Sequence, residues 1–80
     1  MKWITLKSLP NGTVIHDKDN GNSYAILGKY QKEGKMWIKI IDNETKEINS
    51  IQDYGNPVNS PYNNWETAEY HSIKTNVHFH

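Results

Sequence analysis

The chain has 80 residues, a formal net charge of zero, 35% apolar residues and no cysteine. That length supports one small domain, 1–80, with a thin core, and the missing thiols exclude disulfides and thiolate metal sites. All nine basic residues are lysines; a neutral chain without arginine lacks both the basic excess that neutralises phosphate and the usual bidentate reader of guanine, so nucleic acid is not an expected partner.

Met1 to Lys7 contains no apolar stretch of signal-peptide length, and no run in the chain is long enough to span a membrane. Two glycosylation sequons, at Asn11 and Asn43, are read as chance matches, and the expected location is the cytoplasm. Ten asparagines beside no arginine indicate an A/T-rich coding source, such as a low-GC bacterium or its phage.

Taken in order, Trp3 to Leu6 is expected to open as a short strand, and Pro10-Asn11-Gly12 to turn the chain. Thr13–Lys18 forms the next β-branched run and should pair antiparallel with 22–30 through Asn20-Gly21, the dipeptide best suited to a type I′ turn. Gly28 interrupts a strand pattern and reads as a bend or bulge. The polar turn Gln31-Lys32-Glu33-Gly34 then joins this strand to Lys35–Ile41, making the Ser23–Asp42 hairpin that holds most of the strong apolar residues. A further turn at Asp42–Thr45 leads to a strand over 46–51.

Residues 52–64 are rich in Asn, Pro, Gly, Ser and Tyr and carry no strand pattern. Tyr54, Val58 and Tyr62 punctuate the segment and Trp65 follows it, so the expectation is a long ordered loop pinned by its rings. Asn63-Asn64-Trp65-Glu66 offers a helix cap running to Tyr70, with a strand as the alternative. From Ser72 the alternation of Ile73, Thr75, Val77 and Phe79 predicts a closing strand. The fold class is mainly β: a five- to six-stranded antiparallel meander curled into an SH3-like or OB-like barrel with one long aromatic loop. The stretch Leu9-Pro10-Asn11-Gly12-Thr13-Val14, followed by Gly21 and by Tyr24-Ala25-Ile26-Leu27-Gly28, resembles the punctuation of small SH3-type barrels; the resemblance implies a barrel and transfers no site residue.

Parity within Lys35–Ile41 provides the sharpest site candidate. Met36, Ile38 and Ile40 make a core face, leaving Lys35, Trp37, Lys39 and Ile41 on the other. A Trp between two lysines can stack a base or nucleotide ring while the ammonium groups attract phosphate. The competing explanation is that the 52–64 loop or a subunit interface covers Trp37. His78 and His80 point to one side of the predicted closing strand and form a weak metal candidate; solvent-facing residues are the simpler account, and no metal is expected. His16-Asp17 with Glu66 or Glu69 can be combined into an acid–base pair, as any chain with nine carboxylates and four histidines permits, and ordinary surface polarity is the simpler account of those residues.

The expected function is therefore a non-enzymatic, self-associating small binding protein. It would take a nucleotide-like ligand or block a host protein through Trp37, Tyr54, Tyr62, Trp65, Lys35 and Lys39, without a cofactor. An inhibitor or sequestering factor of a phage or mobile element, acting in the host cytoplasm, suits the composition. The alternatives are a barrel that binds single-stranded nucleic acid, a small hydrolase or lyase with a site between subunits, and a structural phage component.

Overall fold

A computed structural model describes residues 4–76. It is mainly β, with five antiparallel strands in one sheet: β1 (Val14–Asp17), β2 (Ser23–Lys32), β3 (Lys35–Asp42), β4 (Ile48–Asp53) and β5 (Trp65–Thr67). The spatial order is β4-β3-β2-β1-β5. Consecutive pairing of β1 to β4 is the expected meander, but the sheet is open, with β4 and β5 at its two edges rather than curled into a barrel.

Thr13–Lys18 was the expected extent of β1, and its pairing with β2 is present, Ile15 lying opposite Tyr24. The connecting turn differs. Only Gly21 of the Asn20-Gly21 pair has positive φ (76°), so the turn is not type I′. Instead Asp17 Oδ1 accepts from Asp19 N and Asn20 Oδ1 from Asn22 N, while Gly21 N donates to Asp17 O. Side-chain acceptors of Asp and Asn thus build a longer loop of their own. The positive-φ pair sits at Glu33 (54°) and Gly34 (76°), where Lys32 faces Lys35 across a two-residue turn. There the backbone has the type I′ signature, which matches the strand twist of the long hairpin.

A register shift between Ile26 and Gly28 leaves Leu27 as an extra residue in β2. Gly28 therefore lies at the bulge its place in the strand suggested. The bulge reverses the parity of the strand. Ile26 faces Ile40 on the core side, whereas Gly28 faces Lys39 and Tyr30 faces Trp37 on the opposite side.

The core side holds Ile15, Ile26, Ile38 and Ile40, all buried, with Leu6, Leu9 and Val58 laid over them. Each such side chain contributes about 1.5–3 kcal/mol by leaving water. The segment carrying Leu6 is a short 3-10 helix, η1 (Leu6–Ser8), and not the expected opening strand. Ser8 Oγ donates to Thr5 O at 2.7 Å and accepts from Thr5 N at 3.1 Å, closing the turn locally where a strand would have needed a partner. Lys29 Nζ donates to Lys7 O and Leu9 O, tying η1 to β2.

The 54–64 loop carries the chain from one edge of the sheet to the other, so that β5 pairs with β1. Five strands put those edges about 19 Å apart, which accounts for the loop's length. Its rings do not pin it: Tyr54 and Tyr62 are 76% and 78% exposed. Val58 anchors it in the core, and amides do the rest. Asn56 Nδ2 donates to Tyr62 O, Asn63 Nδ2 to Asn56 O, and Asn59 Oδ1 accepts from Thr67 N.

After β5 the chain enters helix α1 (Ala68–Asn76). Thr67 Oγ1 accepts from Tyr70 N at 3.3 Å, so the cap is Thr67 rather than Asn63, whose Oδ1 takes Trp65 N. Residues 72–76 of the predicted closing strand are thus helical, because a capped helix satisfies its backbone locally where an isolated strand cannot. The rest of that segment, with His78 and His80, lies outside the described residues. Among the described residues no helix is long and apolar enough to cross a membrane.

Candidate functional site

The two faces of the sheet are covered unequally. On the far side from the core, α1 packs chiefly against β1 and β5. The remaining three strands leave an open face whose rows follow from the register: Lys32 with Lys35, Tyr30 with Trp37 and Gln52, Gly28 with Lys39 and Ser50, Ala25 with Ile41 and Ile48.

This face gathers Lys35, Trp37 and Lys39, three of the residues expected from sequence, and adds Tyr30 and Lys32. Trp37 is partly covered, and its Nε1 is buried with no acceptor among the described residues. Tyr30 is exposed and lies across β3, its hydroxyl donating to Ser50 Oγ at 2.9 Å. Lys32 and Lys35 stand directly opposite each other, an arrangement that like charges disfavour. No carboxylate from β2, β3 or β4 lies in these rows. Beside the aromatic pair is a depression of about 470 Å³, lined by Leu27, Gly28, Lys29, Tyr30 and Lys39. Gly28 is part of its lining, and a Cβ built there would meet nothing within 4 Å.

Tyr54, Tyr62 and Trp65 are brought together elsewhere. They line a separate cleft of about 230 Å³ with Leu6, Gln52 and three asparagines of the loop. Trp65 is also part of the packing, its indole meeting the Tyr24 ring edge-on at 5.3 Å. The six expected residues therefore belong to two places, not one.

A third grouping involves His16, Glu66 and His71. Glu66, opposite His16 on β5, is 1% exposed and places Oε1 2.8 Å from His71 Nδ1. The His71 ring stacks on His16 at 4.2 Å, nearly parallel. The contact fastens α1 to the sheet. Asp17 is not in it; its carboxylate takes Asn64 Nδ2 and Asp19 N instead. Among the described residues no group of three or more His, Asp or Glu is placed to hold a metal ion.

The contributions of Tyr30 and Lys32 were not legible from alternation alone. Strict period-two counting puts Tyr24, Ile26, Gly28, Tyr30 and Lys32 on one face. The signal that separates them is Gly28, whose reading as a bulge implies the change of face. No family model matches the chain, and no curated protein or solved structure matches it either.

Proposed function

We propose that this is a non-enzymatic binding protein that takes a nucleotide, a base together with its phosphate, on the open face of the sheet. The observation that carries the reading is the Tyr30–Trp37 pair flanked by Lys32, Lys35 and Lys39 in rows without a carboxylate. Aromatic faces stack any base, and lysines beside them neutralise phosphate. The facing Lys32 and Lys35 support the same reading, since an anion between them relieves their repulsion. The depression over Gly28 supplies concavity next to the rings. Among the described residues, the second cleft, around Tyr54 and Tyr62, has no charged side chain to meet a phosphate.

Intrinsic fluorescence tests this. The wild type is titrated with AMP and with a short oligothymidylate, at low and high salt, beside Trp37→Phe and Lys39→Gln. Saturable quenching that weakens with salt, is lost in Trp37→Phe and is reduced in Lys39→Gln supports the proposal. Quenching by AMP assigns a free nucleotide, and quenching by the oligomer alone assigns a single strand. No quenching by either, or an affinity flat in salt, overturns it.

A further inference from the structure

We infer that the free edge of β4 is a self-association surface, taken by the same strand of a second copy running antiparallel. This is independent of the nucleotide reading. Edge strands of soluble proteins are ordinarily blunted by lysine, proline, a bulge, short length or a cover. The β5 edge meets that rule: it is three residues long and runs directly into α1. The β4 edge does not. Ile48–Asp53 is six residues, reads Ile-Asn-Ser-Ile-Gln-Asp, and pairs with β3 in an unbroken register. It contains no lysine, proline or bulge, and Ile48 is 57% exposed.

A second copy is the occupant that the strand itself specifies. A two-fold axis normal to the sheet keeps core side with core side only if a residue lies opposite its own copy. Centring the pairing on Ser50 would set Glu47 against Asp53, like charges directly opposite. Centring it on Ile51 avoids this. Ile51 then faces Ile51, Ser50 faces Gln52, and Asn49 faces Asp53, so no like charges meet. The same register sets the exposed Ile48 of each copy at the position of Tyr54 of the other. The five-stranded sheets would join into one of ten.

The absence of native cysteine makes the test direct. In this register the two Cα atoms of residue 51 lie about 4.5–5.5 Å apart, within disulfide reach. Those of residue 49 are displaced by four residues, about 13 Å, and are out of reach. The expected result is that wild type sediments as a dimer of the 9.3 kDa chain. Ile51→Cys should oxidise to a covalent dimer, while Asn49→Cys stays uncrosslinked. Ile51→Lys, which opposes two like charges, should sediment as a folded monomer. A wild type that is monomeric at high micromolar concentration overturns the inference, and so does equal crosslinking at 49 and 51. Should Ile51→Lys fail to fold, the cysteine pair still decides.

Discussion

Gly28→Val separates the proposed binding role of the open face from its structural role. Gly28 has a φ outside the left-handed region, and a Cβ there meets nothing within 4 Å. A side chain can therefore leave this backbone without left-handed strain, and its Cβ meets open space. It removes the entropy cost of glycine in a strand, about 0.5–1 kcal/mol, and adds a β-branched side chain suited to a pleated surface. The expected gain is about 1 kcal/mol, which for a domain of this size raises Tm by roughly 4–8 °C. The new side chain stands in the lining of the depression shared with Tyr30, Leu27 and Lys39. Nucleotide affinity should then fall at least about tenfold, or about 1.4 kcal/mol. Thermal unfolding by circular dichroism, with the fluorescence titration on the same sample, measures both. A lower Tm would refute the account of the bulge. A higher Tm with binding intact would show that the depression is not the site.

Further substitutions probe the packing and the hairpin tip. Glu66→Ala removes a buried carboxylate that holds His71, and should cost about 1.5–3 kcal/mol in urea unfolding, more than His71→Ala. Asp53 Oδ2 accepts from Lys7 N at 3.0 Å and Oδ1 from Gly55 N at 2.8 Å, so Asp53→Ala frees both η1 and the loop. A loss of about 1–3 kcal/mol is expected, and a loss below the error of the unfolding curve would discount the clamp. At the hairpin tip, Glu33→Asn should stabilise by a few tenths of a kcal/mol, because asparagine tolerates the φ of 54° better; Gly34→Ala should destabilise by about 1 kcal/mol. Reversed signs in thermal melts would contradict the turn assignment.

The meander was legible because its strands carry their own signals. Alternation in Lys35–Ile41 correctly assigned Met36, Ile38 and Ile40 to the core side, since a one-residue slip would expose all three. What alternation could not show was the consequence of one extra residue: the bulge at Leu27 moves Tyr30 and Lys32 to the face of Trp37. Turn chemistry misled in one place, because Asp17 and Asn20 offer side-chain acceptors that compete with a tight turn at Asn20-Gly21. The loop misled through its aromatics. Tyr54 and Tyr62 drew attention, but Val58 and the asparagine amides hold the segment. Closure into a barrel was inferred from the need to hide edges, a need met instead at β5 by shortness and a helix. The grouping of His16, Glu66 and His71 depends on β5 returning to β1, a long-range pairing no local pattern announces.

The return of β5 to β1 also sets an order of assembly. β2 and β3 meet across a two-residue turn, while Ile15 waits for Thr67. Closing that distance costs chain entropy that no neighbouring contact repays until Val58 seats. The meander can therefore form first, and β5 with α1 can detach without breaking a ladder bond among β1 to β4. Amide exchange should divide the molecule accordingly, with Trp65–Thr67 and α1 opening at lower free energy than β2 and β3. When that unit opens, β1 becomes an edge in its turn, so the molecule then offers free strands at both ends of its sheet.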